Sequence, residues 1–219
     1  MSVVNEKNII NFQKSILNWY ETYGRRFPWR NKRLTQYQII IAETLLQRTK
    51  AETVSKFYSQ FTKDFPNWTS LAQADTTAIE LYLKPIGLYR QRAMRLHNLA
   101  VEMVKRKGKL PKERAELESI PFIGQYIANA VELIIYKQPS PLIDVNMSRL
   151  LEHYFGIRKM ADIRYDPYLQ KLSYKVVNHK KSKEINWAIL DFAALICLRR
   201  NPKCNICIFS RKCNYFNDV

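Results

Sequence analysis

The segment "LESIPFIGQY", residues 117–126, joins two stretches whose apolar residues recur as they do in helices. Pro121 and Gly124 interrupt that spacing, as residues of a tight turn do. Such a turn presents the backbone N–H groups at the start of the next helix to solvent, where the helix dipole favours an anion such as phosphate. We therefore expect two helices joined by a phosphate-binding turn that contains Phe122, Ile123, Gly124 and Gln125.

The rest of the chain also favours helices over sheets. Only five of the 219 residues are glycine, and few runs alternate apolar and polar residues as half-buried strands do. Apolar side chains instead recur with the helical period of about 3.6 residues, and most prolines fall between the periodic segments. The predicted helices are 5–23, 35–49, 51–64, 75–83, 89–107, 113–119, 125–137, 145–155, 166–178 and 183–197.

The charge of the chain points to an anionic partner. Its 36 lysines and arginines exceed its 19 acidic residues, which gives a formal net charge of +17, whereas a small domain typically carries about 2 to 8. Neutralising phosphates is the usual function of such an excess, so we expect the partner to be nucleic acid. The alternative is a lysine-rich, solvated surface with no partner.

The sequence carries no sign of export or membrane insertion. The first residues, "MSVVNEKNIINFQ", are polar from Asn5 onwards and lack a long apolar core. No run of about 18 uncharged apolar residues occurs either. We expect an intracellular protein in the cytoplasm of a prokaryote, associated with the nucleoid, monomeric and without a membrane partner.

All four cysteines lie in "CLRRNPKCNICIFSRKC", at positions Cys197, Cys204, Cys207 and Cys213. Disulfides are disfavoured inside cells, so a metal is the first explanation. Zinc sites with four cysteines usually show two close pairs, and here only Cys204 and Cys207 form one. A single iron–sulfur cubane accepts longer gaps. The spacing favours iron–sulfur and leaves zinc and unrelated thiols open.

This spacing, Cys-x6-Cys-x2-Cys-x5-Cys, resembles the cluster loop of the endonuclease III superfamily of DNA glycosylases. Four more motifs resemble that family in its own order: "FPWR" at 27–30, "AETLLQRT" at 42–49, "PIGLY" at 85–89 and the hairpin at 117–126. The resemblance implies an all-α, two-lobed fold. It places a six-helix barrel with the helix-hairpin-helix at 34–137, and a second lobe, with the cluster loop 197–213, at 1–33 and 138–219.

The resemblance also implies a cofactor and several DNA contacts. The four cysteines correspond to the ligands of a structural [4Fe-4S] cluster, and Arg199, Arg200 and Lys203 lie in the basic loop that approaches DNA. Gln47 corresponds to the residue inserted where a base has been flipped out, and Leu88 to an apolar wedge. Two alternatives stay open: the basic loop is ordinary solvated surface, and Leu88 faces the core.

Asp144, in "IDVN" at 143–146, stands at the start of a predicted helix. Aspartate is a preferred N-cap, which is a sufficient structural reason for it. It also corresponds to the catalytic aspartate of the resembling family. There, cleavage of the glycosidic bond passes through an oxocarbenium-like sugar, whose positive charge a carboxylate stabilises. The two roles are compatible.

Two further residues bear on the chemistry. Glu43 follows an apolar stretch, and burial raises the pKa of a carboxyl group and keeps a proton available; the matching glutamate of adenine-removing relatives protonates the base. Tyr126 stands where strand-cutting relatives carry a lysine that forms a Schiff base. The structural alternatives are an ordinary helical Glu43 paired with a cation and a Tyr126 that only packs on its helix.

The hairpin departs from the family at one position. The family usually carries Gly-Val-Gly, whereas this chain has Phe122-Ile123-Gly124. A bulky residue takes a positive φ only with difficulty. We therefore expect either a reshaped turn or Phe122 in the β region.

Taken with the resemblance, Tyr126 predicts a monofunctional mismatch glycosylase that hydrolyses the N-glycosidic bond of thymine or uracil opposite guanine in double-stranded DNA. The first alternative is an adenine DNA glycosylase acting opposite guanine or 8-oxoguanine, although such enzymes usually carry an additional C-terminal domain. The second alternative is a DNA-binding module without catalytic activity.

Overall fold

The computed structural model describes residues 5–217. Residues 1–4 and 218–219, which belong to the predicted second lobe, lie outside the described residues. The chain forms two compact units. The continuous unit is Arg26–Val131, and the discontinuous unit joins Met1–Arg25 to Glu132–Val219. The predicted six-helix barrel at 34–137 stays a prediction.

Residues 5–217 contain helices and loops but no β-strand. In chain order the α-helices are α1 (Glu6–Tyr23), α2 (Gln36–Leu46), α3 (Ala51–Ser55), α4 (Tyr58–Asp64), α5 (Trp68–Gln73), α6 (Thr76–Leu83), α7 (Tyr89–Lys105), α8 (Arg114–Glu118), α9 (Gln125–Ala130), α10 (Val145–Phe155), α11 (Pro167–Val177), α12 (Ser182–Leu195) and α13 (Asn214–Asn217). Short 3₁₀ turns lie at Pro28–Arg30, Lys84–Ile86, Cys204–Ile206 and Ser210–Lys212. A π-helical turn covers Val131–Ile135.

Side-chain caps explain where several helices begin. Asn5, Asp75 and Asp166 each accept a hydrogen bond from a backbone N–H of the first turn that follows, which satisfies a donor that the helix itself leaves unpaired. At α2 the cap is reciprocal: Thr35 accepts from the backbone of Gln38, and the Gln38 side chain accepts from the backbone of Thr35.

The predicted helix 51–64 is wrong, because it is two helices, α3 and α4, separated at Phe57. Neither glycine nor proline marks the break. It accompanies a tertiary contact, since the Tyr58 hydroxyl donates to the carbonyl oxygen of Gln38 at 2.9 Å. The sequence prediction also missed α5, whose capping box of Asn67 and Ser70 was a readable signal. It missed α13 as well.

The core of the discontinuous unit fixes the cysteine loop. Phe209, between the third and fourth cysteines, is buried and stacks on Phe12 of α1 with ring centroids 4.6 Å apart. Phe192 of α12 packs edge-on against the Phe209 ring, with ring centroids 5.2 Å apart. Aromatic pairs of this kind stabilise beyond the area they bury. The loop therefore shares its core with α1 and α12.

The core of the continuous unit positions the end of α2. Ile40, Ile41 and Leu45 are buried to 1% exposure or less. Trp29 meets the ring of Tyr58 edge-on at 5.5 Å. Glu43 is carried on the same helix, so a carboxyl group is brought into an apolar interior. No helix in the described part of the chain is long and apolar enough to cross a membrane.

Candidate active site and cysteine cavity

The hairpin turn between α8 and α9 contains one strained residue. Phe122 has φ +69° and is exposed, a left-handed conformation that costs a non-glycine residue about 1–2 kcal/mol. The expectation of Phe122 in the β region is therefore wrong. Ile123 is buried and donates its N–H to the carbonyl oxygen of Ile120 at 3.0 Å. The turn thus holds Ile123 in the core and presents Phe122 to solvent.

Gly124 is the N-cap of α9 and has an ordinary φ of −86°. A Cβ atom added there would meet nothing within 4 Å. Neither the backbone conformation nor the neighbouring atoms of the protein therefore require glycine at this position. The space is open to whatever approaches the start of the helix.

Arg114 holds the two helices of the hairpin together. Its Nε and Nη2 atoms donate to Glu118 on its own helix, at 2.9 and 2.7 Å. Its Nη1 donates to the side-chain oxygen of buried Asn129 on α9 at 2.7 Å. The partly exposed pair with Glu118 lies within α8 and is worth only about 0.3–0.5 kcal/mol, so it is the bond to Asn129 that fixes α8 against α9. The sequence interpretation had not singled out Arg114.

Glu43 and Tyr126 meet although 83 residues separate them. The Tyr126 hydroxyl donates to Oε2 of Glu43 at 3.2 Å. Glu43 is only 4% exposed, and burial raises its pKa from 4.5 to about 7, against smaller lowering effects of the Tyr126 hydroxyl and the Arg30 charge. A carboxyl group with this pKa exchanges a proton near neutral pH.

Asp144 is the N-cap of α10. Its Oδ1 accepts from the backbone N–H groups of Asn146 and Met147, both at 2.8 Å, and its Oδ2 accepts from the Asn146 amide at 2.8 Å. Burial raises the pKa of Asp144 although these hydrogen bonds act to lower it. The carboxyl group is thus fixed in one orientation and partly shielded from water.

A chain of contacts leads from Asp144 to the cysteine loop. The Oδ1 atom of Asn146 accepts from Nη2 of Arg149 at 3.1 Å. The Nε atom of Arg149 donates to the carbonyl oxygen of Cys197 at 2.7 Å. Sequence interpretation had assigned no role to Asn146 or Arg149, and their spacing of three on a helix was the only signal available.

The four cysteines line one cavity that is partly open to solvent. None of the four is joined to another cysteine by a disulfide bond within the described residues. Burial, together with the neighbouring sulfur atoms of Cys207 and Cys213, raises the pKa of Cys197 to about 11, against the lowering effect of Arg149. Other lining residues include Leu150, His153 and Phe209.

The four cysteines border this cavity without converging on a single point. Among residues 5–217, no group of three or more His, Cys, Asp or Glu side chains is arranged to hold a metal ion. A four-iron cube is bound by thiolates around its outside, so it requires a cavity between the sulfurs. The donor set and the cavity therefore fit a cubane cluster.

The remaining predicted DNA contacts lie at the surface. Gln47 follows the last residue of α2 and is exposed. Leu88 is 70% exposed, so the alternative of a core-facing Leu88 is wrong. In the cysteine loop, Arg199, Arg200 and Lys203 are exposed. Gln125, the first residue of α9, is half-buried.

The chain matches known proteins over most of its length. The family described as "HhH-GPD superfamily base excision DNA repair protein" matches residues 41–181. The chain is 32% identical to the thymine-DNA glycosylase of Aeropyrum pernix over 100% of both chains. It is 33% identical to the thymine/uracil-DNA glycosylase of Pyrobaculum aerophilum over 92% of each. It is 34% identical to an adenine DNA glycosylase of Buchnera aphidicola, over 94% of this chain and 59% of that protein.

Solved structures of DNA glycosylases and of endonuclease III also resemble this chain. A thermostable thymine-DNA glycosylase matches with a TM-score of 0.88 and 31% identity, covering 97% of this chain and 98% of the other. An endonuclease III trapped on DNA matches with a TM-score of 0.82 and 17% identity, covering 99% of both chains; at that identity the similarity shows the fold alone. The predicted all-α, endonuclease III-like fold is confirmed.

Proposed function

The chain belongs to the HhH-GPD superfamily of base excision DNA repair proteins, and from this membership we propose that it is a monofunctional DNA glycosylase that removes thymine or uracil opposite guanine. The observation that carries the proposal is Tyr126, placed at the hairpin with its hydroxyl on Glu43. Similarity to thymine and thymine/uracil glycosylases over nearly the whole chain supports it. The biological role is then repair of deaminated 5-methylcytosine and cytosine.

The proposed reaction is a hydrolysis at C1′ of the deoxyribose. The bond between C1′ and N1 of the base breaks, and the sugar passes through an oxocarbenium-like state. Asp144, held by the Asn146 and Met147 N–H groups, stabilises that positive charge. Water then supplies hydroxide to C1′ and a proton to the base, so the products are an abasic sugar and a free pyrimidine.

Glu43 and Tyr126 are assigned to the departing base. With a pKa of about 7, Glu43 is partly protonated at neutral pH and is suited to donate a proton or a hydrogen bond. Tyr126 has no amine, so it forms no Schiff base with C1′. The strand consequently remains intact beside the abasic site.

The proposed DNA contacts fall on exposed groups. Backbone N–H groups at Gly124 and Gln125 bind a phosphate, with Phe122 and Ile123 shaping the turn. Gln47 and Leu88 occupy the space that the flipped base leaves, and an exposure of 70% makes Leu88 available for it. Arg199, Arg200 and Lys203 neutralise phosphates further along the duplex.

We propose a [4Fe-4S] cluster held by Cys197, Cys204, Cys207 and Cys213, which line the cavity described above. When bound, the cluster supplies a structural cross-link between four positions of the loop. Arg149 donates to the carbonyl oxygen of Cys197 and so holds the ligand-bearing backbone. A brown protein with about four irons per chain is expected, and a colourless protein containing zinc would contradict the assignment.

The runner-up is removal of adenine opposite guanine or 8-oxoguanine. Buried Glu43 favours it, as does the 34% identity to an adenine DNA glycosylase. A single-turnover assay on duplexes carrying G:T, G:U, G:A and 8-oxoguanine:A pairs separates the two, with alkali revealing each abasic site. We expect the G:T and G:U duplexes to react fastest. Faster reaction of the adenine-containing duplexes would overturn the proposal.

A non-catalytic DNA-binding module is the alternative of another class. The matched variant is Asp144→Asn, because asparagine caps a helix about as well as aspartate. We expect it to bind the same duplexes and release no base. DNA binding without base release by either wild type or variant, on all four duplexes, would favour the non-catalytic module.

A further inference from the structure

Three residues with strained backbone lie in segments that contact the first two turns of helix α7. Arg48, Leu88 and Phe122 have φ values of +56°, +49° and +69°, in the left-handed region that residues other than glycine rarely adopt. All three are exposed. Strain of this kind persists only where the surroundings enforce it, and it concentrates at functional sites.

Two arginines of α7 make the connections. Arg92 donates from Nη2 to the carbonyl oxygen of Gln47, at 3.0 Å, and its backbone N–H donates to the carbonyl oxygen of Leu88, also at 3.0 Å. Arg95, one turn later, lies over the ring of Phe122, 5.8 Å from its centroid. The two arginines thus bring three segments that are distant in sequence to one surface of the continuous unit.

This surface carries uncompensated positive charge. Burial lowers the pKa of Arg92, and the charges of Arg95 and Arg48 lower it further, because both cations lie near its guanidinium group. Within residues 5–217, none of the three forms an ion pair with a carboxylate, and the Nε atom of Arg92 makes no hydrogen bond. Three cations that no carboxylate neutralises favour the approach of an anion.

The apolar neighbours indicate which anion. Leu88 is 70% exposed and Phe122 is 39% exposed, so two large apolar side chains flank the cations. A simple inorganic anion offers nothing to such groups. A nucleic acid strand offers phosphates together with sugar and base faces, and an extruded nucleotide exposes base faces that are otherwise stacked.

We propose that Arg48, Arg92 and Arg95 form a phosphate-binding cluster for the DNA backbone beside an extruded nucleotide. Arg48 and Arg95 contact the phosphates. Arg92 is a positioning residue, because its guanidinium group holds the turn at Gln47 and its own backbone holds the turn at Leu88. This inference rests on the proposed function in requiring a flipped nucleotide, but not on which base is removed.

The test is equilibrium binding of the full chain to a duplex with a tetrahydrofuran residue opposite guanine, compared with the undamaged duplex, over a range of salt concentrations. Tetrahydrofuran has no base to release, so the result does not depend on glycosylase activity. For the tetrahydrofuran duplex, Arg48→Gln and Arg95→Gln are each expected to reduce the slope of log K against log salt by about 0.9, the value for one lost phosphate contact. Their affinity for the undamaged duplex should fall less.

The matched control is Lys105→Gln, at the other end of α7, where the lysine lies 3.9 Å from Glu102. It removes the same single charge and should leave the slope unchanged. Equal slopes for wild type, Arg48→Gln and Arg95→Gln would overturn the proposal, as would an equal reduction in Lys105→Gln.

The positioning role of Arg92 is tested by the ratio of affinities for the tetrahydrofuran and undamaged duplexes. Arg92→Gln should lower this ratio, and Arg92→Lys, which restores the charge but not the Gln47 contact, should lower it as well. Full rescue of the ratio by lysine would contradict the positioning role.

Discussion

At the scale of single residues, the proposed chemistry depends on two carboxyl groups that lie in different surroundings. Glu43 is buried and accepts one hydrogen bond from the Tyr126 hydroxyl, whereas Asp144 is fixed by two backbone N–H groups and one amide. Burial raises the pKa of both. Only Asp144 is compensated by several hydrogen bonds to its charged form, so the two are suited to different tasks: Glu43 to hold a proton and Asp144 to hold a negative charge.

The buried position of Glu43 has a consequence for stability. Its folded pKa of about 7 lies above its ordinary value of 4.5, so the unfolded chain releases this proton first and stability falls as pH rises from about 4.5 to about 7. Glu43→Gln removes that cost. The variant should be more stable than wild type at pH 8 and similar at pH 4, when unfolding in denaturant is compared. A wild-type pH dependence in the variant would contradict the buried carboxyl group.

Two substitutions of Asp144 distinguish its contribution to stability, as a helix cap, from its proposed contribution to base release. Asp144→Ala should cost about 1 kcal/mol of stability, since α10 loses its N-cap, whereas Asp144→Asn should cost little. Both should lose base release. Denaturant unfolding and single-turnover kinetics on the two variants check this. An active Asp144→Asn enzyme would remove the proposed role of the carboxylate and leave only the cap.

At the scale of elements, the hairpin shows how much the sequence predicts. The proline and glycine of "LESIPFIGQY" located the turn, and the position of Asp144 before an apolar periodic run located the start of α10. The left-handed Phe122 was not predicted, and the features beside it, buried Ile123 and Arg95 over its ring, belong to the tertiary fold. The contact between Tyr126 and Glu43 joins residues 83 positions apart, and no local pattern encodes it.

A substitution at Gly124 distinguishes the effect of the hairpin turn on stability from its proposed effect on DNA binding. Its φ is ordinary and the space around it is open, so the gain of about 0.4–1 kcal/mol that Gly124→Ala makes through the unfolded chain should be offset by the poorer N-cap that alanine provides, and stability should change little. The added methyl group should nevertheless weaken DNA binding, because it stands where a phosphate approaches. Thermal unfolding and DNA titration measure the two effects.

Gly87→Ala is the contrasting control. The space at Gly87 is equally open, but its φ of +68° strains any other residue, so this variant should lose about 1–2 kcal/mol. If Gly124→Ala bound DNA as tightly as wild type, the turn would not be a phosphate site.

At the scale of the whole molecule, the net charge governs DNA binding, and the proposed cofactor bears on stability. A net charge of +17 makes association with DNA strongly dependent on salt. The cysteine loop shares its core with α1 and α12 through Phe209, so losing the proposed cluster should loosen the discontinuous unit. The loop's spacing was readable from the sequence, whereas the linkage through Arg149 and Asn146 to Asp144 required the fold.

Removing one cluster ligand tests this dependence. Cys204→Ser should lower the melting temperature, by about 2–4 °C for each kcal/mol lost, and should reduce the iron content. Asn205→Ser, at an exposed position next to it, is the matched control and should change neither. A Cys204→Ser protein that melts like wild type would show that the four thiols do not hold a structural cluster.

The central claim is that this chain hydrolyses the bond between thymine and deoxyribose and leaves the strand uncut. The most direct measurement is product analysis of a G:T duplex in a single turnover, with borohydride present in a parallel reaction. We predict free thymine and a strand that breaks only after alkali. We also predict that borohydride traps no enzyme on DNA, because Tyr126 stands where strand-cutting relatives carry the lysine that forms a Schiff base. Strand cleavage without alkali, or efficient trapping of the enzyme on DNA by borohydride, would contradict the account.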